Sequence, residues 1–270
     1  MSCLQALILG LIQGATEFLP VSSSGHLTLG EMLLRVDMED NVALDVALHA
    51  ATLASIAAYF SRAWVRRVRA EPRLAALALA AGVPAGVLYL AAGDSVEAAK
   101  GNIWVVGAMF IVAGAFLAFA SLAAPRMYAL SASGKEGASS FPRGGRGLAA
   151  VAGVGIAQAA ALFPGVSRSG STIGAGLLTG LSREAAFEFS FLTATPLLAG
   201  AVVVKAPGIG GIAEASGGAL ALGAGVAFAS GLAALVLLRR VVTSGKLWIF
   251  GLYTIVVGIV CFGLAAGGVI

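Results

Sequence analysis

One polar element, rich in Gly and Ser, occurs twice in this otherwise apolar chain. The first copy runs Gly10–His26 (GLIQGATEFLPVSSSGH) and the second Gly155–Ser171 (GIAQAAALFPGVSRSGS). At a fixed offset of 145 positions Gln13 falls on Gln158, Phe18 on Phe163, Val21 on Val166, Ser22 on Ser167, Ser24 on Ser169 and Gly25 on Gly170. The copies differ where chemistry is concerned. The first supplies Glu17 and His26, the second Arg168. An acid, an imidazole, a guanidinium and a crowd of hydroxyls suit work on a phosphate, where a fork binds the oxygens and an acid–base group moves the proton.

Arg168 carries the phosphate reading furthest. It is flanked by Ser167, Ser169, Ser171 and Thr172, at the start of a helix whose free N–H groups also attract anions. A snorkelling arginine would sit at a membrane boundary, whereas this one falls at mid-depth. Glu17 could simply pair with Arg168, but five neighbouring hydroxyls exceed what a bare ion pair needs. With Gln13 one turn earlier, Glu17 could present oxygen to a hard cation such as Mg²⁺. His26 closes the SSSGH turn. Alone it would fit a helix cap and catalysis about equally; beside three serines and a glutamate, acid–base or nucleophilic work is the better reading. His49 is read as a packed or water-lining residue.

The elements that must position these groups are membrane helices. The chain is 59% hydrophobic and 11% charged with a mean hydropathy of +0.96, which no soluble core of its size could absorb. Six segments read as crossings: 41–60, 73–92, 102–123, 184–205, 216–238 and 246–268. Residues 4–35 and 148–181 are each apolar, polar, then apolar, with arms too short to cross alone. Each is expected to be a re-entrant helix–turn–helix pair, broken at Pro20 or Pro164. The fold class is therefore all-α integral membrane. Residues 1–123 form one repeat, 124–147 a Ser/Gly-rich cytoplasmic linker expected to be mobile, and 148–270 a second repeat. Three crossings per half invert the second repeat relative to the first, and the two tips should meet near the midplane.

Charge gives the expected orientation. The net +4 is read as a topological signal, not a nucleic-acid footprint. Of the 17 basic residues, 13 fall on one side of this arrangement: Arg62, Arg66, Arg67, Arg69, Arg73, Arg126, Lys135, Arg143, Arg146, Arg183, Arg239, Arg240 and Lys246. Arg35, Lys100 and Lys205 fall on the other, beside Glu31, Asp37, Glu39, Asp40, Asp94 and Glu97. Both termini are then outside. Residues 1–19 lack the basic start of a cleavable leader. Cys3 and Cys261 are read as free thiols in preference to a disulfide. Small-residue faces such as Gly107, Ala108, Ala113, Gly114 and Ala118 would let helices pack closely within one chain or in a homodimer, and choose neither.

Glu17–His26 (EFLPVSSSGH) with Pro164–Thr172 (PGVSRSGST) closely resembles the bacterial undecaprenyl-diphosphate phosphatases of the bacitracin-resistance type. Glu188–Pro196 (EFSFLTATP) looks like that family's third signature, and the resemblance covers essentially the whole chain. It implies hydrolysis of undecaprenyl diphosphate at the outer face of the bacterial cytoplasmic membrane, recycling the lipid carrier for cell-wall polymers. By position it implies roles for Glu17, Ser22, Ser23, His26, Ser167, Arg168, Ser169 and Thr172. Where many members carry the first glutamate of a pair, this chain has Gln13, so a metal would rest on Glu17 and on the diphosphate itself. The expected site has Glu17, Ser23, His26 and Arg168 as catalytic groups. Gln13, Ser22, Ser24, Ser167, Ser169 and Thr172 are expected to contact substrate, and Glu17 to ligate Mg²⁺ or Ca²⁺. Three routes stay open: Ser23 attacks with His26 taking its proton, His26 activates water, or His26 itself is phosphorylated. The rival class is a transporter or lipid flippase, since inverted repeats with broken helices are also transporter architecture. A phosphatidic-acid-type phosphatase is excluded, because it needs a second His–Asp pair after the arginine and no His follows Arg168.

Overall fold

Both polar strings interrupt helices in the computed structural model, which describes residues 2–36, 42–131, 141, 145–205 and 213–268. Helix α1 (Cys3–Phe18) stops short of Pro20 and α2 (Ser23–Leu34) begins on the serine run. Helix α6 (Gly145–Ala160) stops short of Pro164 and α7 (Arg168–Leu178) begins on the arginine. Proline lacks the N–H that the helix needs and restricts the residue before it. With 16 residues each, α1 and α6 reach about 24 Å at 1.5 Å per residue, short of a hydrocarbon core of about 30 Å.

Six other helices are long and apolar enough to cross a membrane. They are α3 (Val42–Ala70), α4 (Arg73–Lys100), α5 (Ile103–Ser131), α8 (Arg183–Lys205), α9 (Ala213–Ser244) and α10 (Trp248–Ala266). No strand occurs among the described residues. Several helices outrun their apolar segments. The Arg- and Ala-rich stretch after residue 60 stays helical to Ala70, because these residues favour helix even where they leave the apolar layer. Residues 93–101, left between the expected crossings 73–92 and 102–123, are instead the end of α4, which kinks at Ala92 (φ −142°, ψ 19°) and continues to Lys100.

The halves interlock through small residues. A Cβ on Gly10 of α1 would lie 2.3 Å from the Gly223 carbonyl of α9. In the matching place of the other half, a Cβ on Gly155 of α6 would lie 3.0 Å from the Ala81 carbonyl of α4. Helices α5 and α10 pack glycine to glycine: a Cβ on Gly114 would sit 2.5 Å from Gly251 O, and one on Gly258 2.6 Å from Gly107 O. The small-residue face of α5 is thus used inside the chain. Both cysteines are free, Cys3 exposed and Cys261 buried against α5.

Ion pairs gather the basic helix ends at one end of the bundle. Arg67 pairs with Glu188 and Arg239 with Glu184, while Arg183 donates to the Thr243 carbonyl at 3.3 Å. Lys100 and Glu97 pair at 2.7 Å at the other end of α4. Asp37, Glu39, Asp40, Lys135 and Arg143, and the linker's residues 132–140 and 142–144, lie outside the described residues. Between the ends lies an aromatic core. Phe18, the last residue of α1, meets Phe191 edge-on at 5.7 Å, and Phe60 stacks on Trp64 at 4.6 Å. That packing fixes the end of α1, and so the carboxylate one residue before it.

Candidate active site

The two interrupted strings meet. Ser169 donates its hydroxyl to the Leu19 carbonyl at 3.2 Å, and a Cβ on Gly170 would lie 3.1 Å from Pro20 Cβ. Each tip is built the same way. Ser22 accepts from the Gly25 N–H at 3.4 Å, and Ser167 accepts from the Gly170 N–H at 3.2 Å. Such caps satisfy one of the orphan donors at a helix start and leave the remaining dipole aimed outward. Ser22 reaches its cap with φ 68° and ψ 99°, outside the regions that L residues favour, so backbone strain is held where α2 begins.

Ser23 and Arg168 occupy the same place in the two copies, each the first residue of its helix, and they face each other across Glu17. One Glu17 oxygen accepts from Arg168 Nη2 at 2.5 Å. The other accepts from the Ser23 hydroxyl at 2.6 Å and from the Gln13 amide at 3.2 Å. The Glu17 side chain is 5% exposed and that of Arg168 15%, so this is a buried, charge-assisted cluster drawn from both halves. Two polar atoms within it stay unused. Arg168 Nη1 and Gln13 Oε1 are buried without a hydrogen-bond partner among the described residues. Leaving such groups unpaired costs roughly 1–3 kcal/mol each. A donor and an acceptor so placed match an anion and a cation respectively.

His26 stands apart from that cluster. Its Nδ1 lies 2.8 Å from the Ser22 carbonyl, which can only accept, so Nδ1 carries the proton. Nε2 then accepts from the Tyr253 hydroxyl of α10 at 2.9 Å. The imidazole stacks on the Tyr253 ring (5.7 Å, 9°) and meets Phe110 edge-on (5.2 Å, 89°). The hydroxyl of Ser23 is therefore held by Glu17, where sequence reasoning paired it with His26. The difference has a simple cause, since both ring nitrogens of His26 are already engaged elsewhere.

Other expected contacts are taken up by the scaffold. Thr172 is fully buried; its hydroxyl donates to the Arg168 carbonyl at 2.8 Å and shares a 2.5 Å hydrogen bond with Ser190. Ser167 and Ser169 are buried in the cap and in the bond to Leu19, and their hydroxyls lie 3.2 Å apart. Ser22 is buried in the matching cap, 3.4 Å from the Ser24 hydroxyl. Ser23 and Ser24 are the partly exposed members of the run. The Glu188–Pro196 string supports the site from behind: Glu188 holds Arg67, Ser190 holds Thr172, and Phe191 holds Phe18.

Sequence reasoning missed three groups. Asp45 lies one turn before His49 and 3.0 Å from its Nδ1, a pairing legible in the i, i+4 spacing. Ser190 sat in a quoted string without an assigned task. Tyr253 is 227 positions from His26, and only the internal repeat points to it. Trp104 to Gly107 recurs as Trp248 to Gly251, so residue 253 corresponds to Met109, which packs against the other tip at Gly165.

The sequence profile of Bacitracin resistance protein BacA matches residues 6–260. The chain belongs to the BacA family. It is 44% identical over 220 residues to an undecaprenyl-diphosphatase of Rubrobacter xylanophilus, covering 73% of this chain and 74% of that one. It is 36% identical over 275 residues to one of Parabacteroides distasonis, covering 96% and 97% of the two chains. A Mycobacterium relative of the same name is 34% identical over 291 residues, covering 100% and 99%. Family membership therefore spans both repeats and the whole candidate site.

Proposed function

We propose that this chain is a multi-pass membrane hydrolase that converts undecaprenyl diphosphate to undecaprenyl phosphate and inorganic phosphate. The observation that carries the reading is the Ser23–Glu17–Arg168 cluster, with a buried guanidinium nitrogen left for a phosphate oxygen. Arg168 and the N-termini of α2 and α7 bind the diphosphate. Ser23 Oγ attacks the terminal phosphorus as Glu17 takes its proton, and the bond to the bridging oxygen breaks, releasing undecaprenyl phosphate. Water then attacks phosphorus and passes a proton to His26 Nε2, and the Tyr253 hydroxyl turns from donating to Nε2 to accepting from it. The bond to Ser23 breaks and Glu17 returns its proton to Oγ, which restores the starting state once His26 loses its proton to solvent. Arg168, held in place by Glu17 and by Thr172 on its carbonyl, meets the charge that develops on the phosphoryl oxygens.

A divalent cation fits this donor set only in partnership with substrate. Among the described residues no three His, Cys, Asp or Glu side chains cluster as metal ligands. Glu17 and the unpartnered Gln13 Oε1 would hold Mg²⁺ or Ca²⁺, with diphosphate and water oxygens completing the shell. The ion would offset charge on the diphosphate. The site is assigned to the outer face of the bacterial cytoplasmic membrane, with both termini outside. Support comes from the basic helix ends gathered at the opposite, cytoplasmic end. The product would return to cell-wall synthesis, and faster recycling would confer bacitracin resistance.

The test is phosphate release from a polyprenyl diphosphate by purified protein in detergent, where no transport registers. Release is expected to stop with EDTA and return with Mg²⁺ or Ca²⁺. A folded, monodisperse protein that releases nothing under any of these conditions would overturn the hydrolase reading in favour of the transporter. Undiminished release in EDTA would remove the metal alone.

A further inference from the structure

Tyr253 lies outside both polar strings, yet its hydroxyl is the group that meets Nε2 of His26. An interfacial tyrosine that merely anchors a span turns its hydroxyl to water or headgroups. This one is 46% exposed on α10, but the oxygen points inward to the imidazole at 2.9 Å and the ring lies parallel to it at 9°. The internal repeat supplies a control within the same molecule. Residue 253 of α10 corresponds to Met109 of α5, and each sits beside a tip. Where the tip carries Ser171, the neighbouring helix offers a thioether; where it carries His26, the neighbouring helix offers a hydroxyl. The donor occurs on the half that has a base to hold.

We propose that Tyr253 is a positioning residue for His26, holding the ring plane and the direction of Nε2 while that atom gains and loses a proton. A neutral imidazole has two tautomers, and only the form with a proton on Nδ1 has a lone pair at Nε2. The Ser22 carbonyl favours that form from one side of the ring by accepting from Nδ1. The Tyr253 hydroxyl on the other side can donate or accept, so it stays bonded to Nε2 both before and after that atom takes a proton. Stacking on Tyr253 and the edge contact with Phe110 hold the plane of the ring, so the lone pair keeps its direction. The Ser22 carbonyl thus fixes the tautomer, and Tyr253 fixes where Nε2 points. This inference rests on the hydrolase reading for its effect on rate, but its structural half stands alone.

The chain contains two histidines, so ¹⁵N-histidine labelling yields one reporter for His26 and one internal reference for His49. Tyr253→Phe keeps the ring and removes the hydroxyl. In purified, labelled protein the variant is expected to move the Nε2 resonance of one histidine while leaving the other in place, which also reports that the fold is intact. Phosphate release is expected to fall in kcat by about tenfold with KM unchanged, part of the ~10²–10⁴-fold that a positioned acid–base group contributes. An unmoved resonance would overturn the proposal whatever the rate does. A moved resonance with wild-type kcat would overturn the catalytic role of the contact. An inactive wild type whose labelled histidine still shifts on substitution would instead count against the hydrolase assignment, and leave the contact standing.

Discussion

Arg168→Lys is expected to lower phosphate release by at least about a hundredfold, although it keeps the charge. The guanidinium makes two engagements at once: Nη2 holds Glu17 at 2.5 Å, and Nη1 is buried without a partner. A lysine ammonium is a point charge on a flexible stem and cannot present two parallel donors to carboxylate and phosphate. Donors of this kind, aimed at developing charge, are worth about 10²–10³ in kcat each. Lysine is the informative substitution because Arg168→Ala strands the Glu17 carboxylate in a site where its side chain is 5% exposed. Breaking a buried pair on one side costs on the order of 3–5 kcal/mol, so the alanine variant would confuse lost chemistry with lost fold. Thermal unfolding in detergent, measured beside the steady-state rate, separates the two for both variants. A lysine variant that is fully active would remove Arg168 from the reaction.

Ser23→Ala should be the most damaging single change at the tip, with kcat down by about a thousandfold or more, and Glu17→Gln should follow close behind. Ser23 is partly exposed, opens α2 and donates to Glu17 at 2.6 Å, which is nucleophile and base within hydrogen-bond reach. Glutamine keeps one oxygen for Arg168 Nη2 and turns its NH2 toward the Ser23 hydroxyl, which can accept, so the shape of the site survives and the proton transfer does not. Ser23→Ala beside His26→Ala ranks the competing routes. If His26→Ala costs more than Ser23→Ala, water activated by the imidazole replaces the serine as nucleophile. If Ser23 leads, a phosphoserine trapped by rapid quench of the wild type, and missing from Ser23→Ala, completes the case.

Much of the architecture was legible from the residues alone because the bilayer reduces the choices. Apolar runs of fixed length must be helices, and prolines within short apolar arms must break them. The repeat offset located both tips, and the tips do touch, through Ser169 and Leu19. What could not be read was the allocation of hydroxyls. Serines and threonines serve equally well as caps, as braces and as ligands, and their spacing does not tell these uses apart. Thr172 and Ser169 proved to brace the Arg168 turn and the opposite tip, and Ser167 to cap it. The pairing of Ser23 with Glu17 was hidden for a related reason, because it depends on how the turn at Ser22 folds back, and that turn adopts an unfavoured φ of 68°. Tyr253 lay beyond local reasoning altogether, since it joins the site only after α10 has packed on α5 through Gly251 and Gly258.

The central claim is that residues from both halves of the chain act as one catalytic unit, and a double-mutant cycle measures that directly. Phosphate release would be followed for wild type, Glu17→Gln, Arg168→Lys and the double variant, with kcat/KM as the readout. Groups that act together lose little more when both are changed than when one is. The double variant should therefore be no worse than the poorer single variant. Losses that multiply, as for independent sites, would contradict a shared site at the meeting of the two tips.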